Sequence, residues 1–263
     1  MRFGKLIFAL ATIALPAAAT IAMAQSHPAG YLALGSFDIL AVLPPAPERG
    51  DARYEADRAI YKTTRALLDT PRWKLAVNDV KTGQADMMRD FSCAVGVVLT
   101  PENAPRLAAL VARASADTGH ATGIAKDHYR RLRPYQIDSG AVCQPAVQLQ
   151  GSFDYPSGHT TLGWTWATLL AQLAPDRATA ILARGRAFGE SRIVCGVHNA
   201  SAVEGGRLSA GATLTAMAGS PEFQADLAAA RAELAALRGS AAATVPDRAQ
   251  CEREAALVAQ PIL

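Results

Sequence analysis

Three short segments concentrate side chains suited to an oxyanion. In Lys126-Asp-His-Tyr-Arg-Arg-Leu-Arg133-Pro134 two cations stand seven residues apart. Seven residues are about two helical turns, so Lys126 and Arg133 are expected on one helix face, with Arg130 near it and Pro134 ending the helix. Tyr155-Pro156-Ser157-Gly158-His159-Thr160 leads into an apolar stretch. Proline there marks a helix start, so Ser157 and Gly158 are expected to present backbone N–H groups at a helix N-terminus, where dipole and donors favour an anion. Gly158 admits close approach, and His159 can give a proton. Ser191-Arg192-Ile-Val-Cys195-Gly196-Val197-His198 adds a third cation and a second histidine. Gly196 is expected to break the helix, so Arg192 and His198 are not placed on one helical wheel. Each segment alone also has a plain reading: a solvated basic face, an N-capped core helix, a buried histidine beside a disulfide. Together, three cations, a helix N-terminus and two histidines suit phosphoryl transfer, which needs equatorial charge stabilised and a nucleophile and an acid in line.

Helices are the elements available to position these groups. Helical periodicity covers Asp51–Leu68, Pro105–Ala116, Ala178–Phe188 and Pro221–Leu237. Thr161–Ala174 is apolar but short for a membrane span and reads as a core helix. Val95–Thr100 is the one β-branched run. Leu43-Pro44-Pro45-Ala46-Pro47 reads as an extended polyproline-like stretch, and Gly239–Pro246 as a linker before a short C-terminal helix. The expected architecture is one all-α domain, a helical bundle over residues 25–238, followed by linker and helix over 239–263.

Composition narrows the class. The chain has 263 residues and is half apolar, too apolar and too weakly charged for a disordered chain. Arg2 and Lys5, the apolar run Leu6–Met23 and Ala22-Met23-Ala24 describe a signal peptide over residues 1–24, removed on export. Without Arg2 and Lys5 the balance is 24 basic to 23 acidic, which leaves no basic tract for nucleic acid. No later run is long enough for a transmembrane helix, so a periplasmic or secreted protein that does not bind the membrane is expected. Export places Cys93, Cys143, Cys195 and Cys251 in an oxidising space, where two disulfides are the default. Three pairings are open. The positions of Cys143 and Cys195 beside the signature segments favour joining them, which leaves Cys93 with Cys251.

In order, K-x6-R-P, P-S-G-H and S-R-x5-H resemble the three-block signature of the type 2 phosphatidic-acid-phosphatase superfamily, which also contains vanadium haloperoxidases. More closely, the chain resembles the bacterial class A non-specific acid phosphatases. The likeness includes Leu43–Pro47, Gly151–Thr160, SRIVCGVH over Ser191–His198 and Ser220-Pro221-Glu222-Phe223, and covers roughly residues 30 to 237. It implies that His198 is the nucleophile that becomes phosphohistidine and that His159 is the general acid. It implies that Lys126, Arg133 and Arg192 clamp the phosphate while Ser157 and Gly158 donate to it. It also implies a metal-free, cofactor-free hydrolase acting on phosphomonoesters such as nucleotides and sugar phosphates. Inorganic phosphate or vanadate would inhibit it, transfer to an alcohol could compete with hydrolysis, and the protein could form a homo-oligomer. A neutral imidazole attacks and a charged one donates, so mildly acidic pH should suit it.

One position departs from the pattern. The family places Asp four residues after the nucleophilic histidine, where this chain has Ala202. Glu204 lies about 240° round a helix from His198 and is poorly placed to replace it. Either a backbone carbonyl or another side chain orients His198, or turnover suffers. A non-catalytic phosphate-binding protein and a vanadate-dependent haloperoxidase are the alternatives. Asn199-Ala200-Ser201 has the form of a glycosylation sequon and is read as chance.

Overall fold

The computed structural model describes residues 29–262; the expected signal peptide lies outside them. Nine α-helices and five short 3-10 turns make up the described elements, and no strand occurs among the described residues. The helices are α1 (Ala52–Thr64), α2 (Pro71–Asn78), α3 (Gln84–Val95), α4 (Pro105–Tyr129), α5 (Gly158–Leu173), α6 (Ala178–Val194), α7 (Ala200–Met217), α8 (Pro221–Gly239) and α9 (Arg248–Val258). The all-α expectation holds. Val95–Thr100 is not a strand: α3 ends at Val95, Gly96 takes φ +86°, and the chain continues as a loop.

The apolar helix α5 is the centre, packed against α4, α6 and α7, with α8 behind. Its Trp166, Leu169 and Leu170 meet Phe91 of α3, Leu107 and Leu110 of α4, Phe188 of α6 and Leu227 of α8 in the main core. Small residues set the close approach of α5 and α6. A Cβ on Gly163 would come within 2.4 Å of the Phe188 ring, and one on Gly185 within 2.3 Å of the Ala167 Cβ. No helix among the described residues is long and apolar enough to cross a membrane.

Several helix boundaries differ from the expected ones: α1 stops at Thr64 rather than Leu68, and α6 runs past Phe188 to Val194. The periodic segment starting at Pro105 does not stop at Ala116 but continues to Tyr129 through Gly119 and Gly123. Tertiary packing along α5, α7 and α8 outweighs the local cost of those glycines. At its far end α4 stops four residues before Arg133, and Arg130 closes it in the left-handed region at φ +46°. Lys126 and Arg133 therefore do not share a helix face: Lys126 is on the last turn, and Arg133 lies in extended chain at φ −74°, ψ 155°. A residue before proline is driven out of the helical region, which forbids a helix through Arg133. Arg130, expected near that face, is exposed beside the Phe153 ring.

Both disulfides join the expected partners. Cys143–Cys195 ties the loop before α5 to the end of α6, and Cys93–Cys251 fastens α9 to α3.

Candidate active site

The site forms where the C-terminal end of α4, the N-terminal end of α5 and the turn after α6 converge. Ser157 caps α5, its Oγ accepting from the Thr160 N–H at 3.3 Å. The backbone N–H of Ser157 is not available as expected, because it donates to the Ala202 carbonyl at 2.9 Å. With Thr160 N–H taken by the Ser157 hydroxyl, the helix-start donors left without a partner among the described residues are those of Gly158 and His159. Gly158 abuts the ammonium arm: a Cβ there would lie 3.8 Å from Lys126 Cε.

After α6, Gly196 at φ +77° turns the chain so that the amides of Val197 and His198 both reach back to the Arg192 carbonyl. This turn brings His198 beside Arg192 despite the broken helix. Arg65 holds it, donating from Nη2 to the Ile193 and Val194 carbonyls at 2.8 Å each and from Nη1 to Ala141. A Cβ on Gly196 would fall 2.4 Å from Arg65 Nη1.

Arg133 and Arg192 are buried and Lys126 half-buried, all three against neutral acceptors. Arg133 donates to the Ser152 carbonyl (2.9 Å), the Ser152 hydroxyl (3.1 Å) and the Val197 carbonyl (2.8 Å), and its Nη1 lies 2.9 Å from His198 Nε2. Lys126 Nζ donates to the Phe153 carbonyl. Arg192, with no exposed surface, gives Nη2 to Gln144 Oε1 at 2.6 Å, while its Nε and Nη1 have no partner among the described residues. Two buried guanidinium donors left unpaired are costly unless an acceptor joins them. Burial, followed by the Arg133 charge, lowers Lys126 to about 7 and Arg192 to about 9. Burial and the charge of Arg192 take His159 down to about 3, and its Nε2 lies 3.1 Å from the Val80 carbonyl. His198 is held well below its usual range by burial, then by Arg133, Lys126 and Arg192. A dianion entering here would relieve all of these groups together.

Sequence reasoning missed the group on the far side of His198. Its Nδ1 lies 3.0 Å from Oδ1 of Asp154, a fully buried carboxylate in the extended chain before α5. Asp154 accepts further from the Asn199 amide (3.1 Å) and side chain (2.8 Å). The signal was an acid inside Gly151–Thr160, close to the second block, but it precedes His198 in the chain and lies outside the helical spacing that follows it. Glu204 faces away and pairs with Arg53 at the surface, at 3.2 Å. Ser191 serves the frame rather than the pocket, receiving Arg72 and donating to Asp79. Asn199, first residue of the sequon, is 3% exposed and committed to Asp154, which excludes it as a glycan acceptor in the folded chain.

A family model described as the PAP2 superfamily matches residues 107–224, which contain all three blocks. An acid phosphatase of Zymomonas mobilis is 38% identical over 221 residues, covering 82% of each chain. Non-specific acid phosphatases of Providencia stuartii and Salmonella typhimurium are 36% and 34% identical, over 77% and 73% of this chain and 83% and 78% of theirs. The chain belongs to the PAP2 superfamily. It is an acid phosphatase of that superfamily, a phosphoric monoester hydrolase.

Proposed function

We propose that this acid phosphatase is periplasmic or secreted and works through a phosphohistidine at His198, without a metal ion, on small phosphomonoesters such as nucleotides and sugar phosphates. The observation that carries this is the arrangement around His198. With Nδ1–H donating to Asp154, the Nε2 lone pair is the one available, and it faces Arg133. An entering phosphoryl group would take over the Arg133 donor, the open donors of Arg192, and the N–H groups of Gly158 and His159. Nε2 would then attack phosphorus, the P–O bond to the leaving alcohol would break, and His159 would protonate that oxygen. Water, activated by the same His159 now acting as base, would attack the phosphohistidine, releasing phosphate and returning His198 to neutral. Charge stabilisation comes from Lys126, Arg133 and Arg192, the role divalent ions fill in many phosphatases.

His159 has little proton affinity while three cations surround it. A bound phosphate dianion would cancel that field and raise its pKa, so substrate and catalytic proton should arrive together. Acidic conditions then favour the loaded, protonated site.

The test is hydrolysis of p-nitrophenyl phosphate in excess EDTA from acidic to mildly alkaline pH, with rapid-quench trapping of labelled protein. Activity below neutrality that survives EDTA, with acid-labile, alkali-stable label lost in His198→Ala, is the expected result. Activity restored only by a divalent ion, or label on another residue, would overturn the reading.

A further inference from the structure

We propose that Asp154, held by Arg131 and Asp57, is the positioning residue for His198, and that a carboxylate at position 202 cannot replace it. This rests on His198 being the nucleophile.

The four groups facing Asp154 are all donors. Oδ1 receives His198 Nδ1–H and the Asn199 amide; Oδ2 receives Asn199 Nδ2 and faces Arg131 Nη1 at 3.4 Å. Only an ionised carboxylate satisfies four donors in this way. Burial pushes the Asp154 carboxyl up, while Arg131 and the Asn199 donors pull it back. Arg131 is itself buried and is pinned from α1, donating from Nη2 to Asp57 Oδ2 at 2.8 Å and from Nη1 to Ser201 Oγ at 2.7 Å. Asp57 also accepts the Ser201 amide at 2.9 Å, capping α7 from outside the helix. Asp57, Arg131, Asp154 and His198 thus form a buried row with alternating charge and fixed hydrogen-bond polarity, ending on the imidazole.

Position 202 is occupied in a different sense. Ala202 has no exposed surface and packs with Ala46 and Tyr155. The Tyr155 ring lies across the first turn of α7, so close that a Cβ on Gly205 would come within 2.8 Å of it. Its hydroxyl is fixed by donating to the Pro44 carbonyl at 2.8 Å. The acid has moved to residue 154, and the aromatic ring of residue 155 covers the place next to 202. These two features require each other: a longer, charged side chain at 202 would displace Tyr155 and with it the backbone that carries Asp154.

The experiment compares Asp154→Asn, Ala202→Asp and the double variant with the full-length wild type. Readouts are kcat, KM, phosphohistidine trapped by rapid quench, the inhibition constant of inorganic phosphate, and thermal melting. An amide at 154, in either orientation, turns its NH2 towards two donors. Asp154→Asn is therefore expected to lower kcat and the phosphorylation rate by roughly 10²–10⁴-fold, with the phosphate inhibition constant changed less than about threefold. Ala202→Asp should lower the melting temperature and not raise kcat, and it should not rescue Asp154→Asn. If Asp154→Asn fails to fold, Ala202→Asp alone decides, because a raised kcat there would show that the site lacks a carboxylate. Wild-type kcat in Asp154→Asn, or a tenfold rescue by Ala202→Asp, overturns the proposal. Absence of labelled histidine in the wild type overturns the phosphohistidine reading instead.

Discussion

At the scale of single residues, the decisive feature is how little negative charge surrounds the cations. Arg192 has one side-chain partner, Gln144, at 2.6 Å. Gln144→Leu should let that guanidinium drift and strand a third buried donor, raising the inhibition constant for inorganic phosphate about tenfold and lowering the melting temperature by a few degrees; steady-state inhibition and thermal melts measure the two effects. His159 at about 3 gives a second prediction. Binding of sulfate, which is already a dianion near pH 5, should draw protons from solution, and calorimetry in buffers of different ionisation enthalpy would count them. Zero uptake would mean that His159 stays neutral in the loaded site. The seven candidate residues could be picked out because their types and spacing are local: a cation, a helix start, a histidine after a turn. Asp154 was not, because its relation to His198 crosses 44 residues of chain and exists only once α5 and the α6 turn meet.

At the scale of elements, the α6 turn sets the geometry. Its angle depends on Gly196 in the left-handed region and on Arg65 bridging two terminal carbonyls of α6. Gly196→Ala meets both a strained φ and the Arg65 guanidinium. A loss of about 2–4 kcal/mol in urea unfolding is expected, with a large fall in kcat. Alanine at the open helical Gly123, where a Cβ would meet nothing within 4 Å, should instead be neutral or stabilising by about 1 kcal/mol. Boundaries were the least legible part of the fold. The run through Gly119 and Gly123 is held by neighbouring helices, not by its own propensity. The stop at Tyr129 reflects two demands on the following residues: Pro134 bars the helical region at Arg133, and Arg131 must turn inward to Asp57 and Asp154.

At the scale of the whole molecule, a buried His198 and a half-buried His159, both kept neutral, make stability depend on pH. Their folded pKa values lie below the unfolded value near 6.5, so the unfolded chain binds more protons below that pH. Stability should be complete above about pH 6.5 and decline as pH falls towards about 3, with His159 alone accounting for about 2 kcal/mol at pH 5. Saturating phosphate should reverse much of that decline in thermal melts at pH 5, and failure to do so would place phosphate elsewhere. The Cys93–Cys251 link closes a loop of 158 residues and supplies no side chain to the pocket. Cys251→Ser should therefore cost about 3–5 kcal/mol of stability with kcat unchanged, once Cys93 is also replaced to remove its free thiol.

The row from Asp57 to His198 also has a consequence in time. Helices α1, α4 and α7 can form from contacts within a few turns, on the microsecond scale of local structure. The Asp57–Ser201 bond joins residues 144 apart in the chain, and Arg131 fits between them only when both are in place. Such closures come late, after their entropy has been overcome by other packing. A refolding chain should regain its helical circular dichroism well before its phosphatase activity, and the interval between the two signals would measure how long His198 waits for its carboxylate.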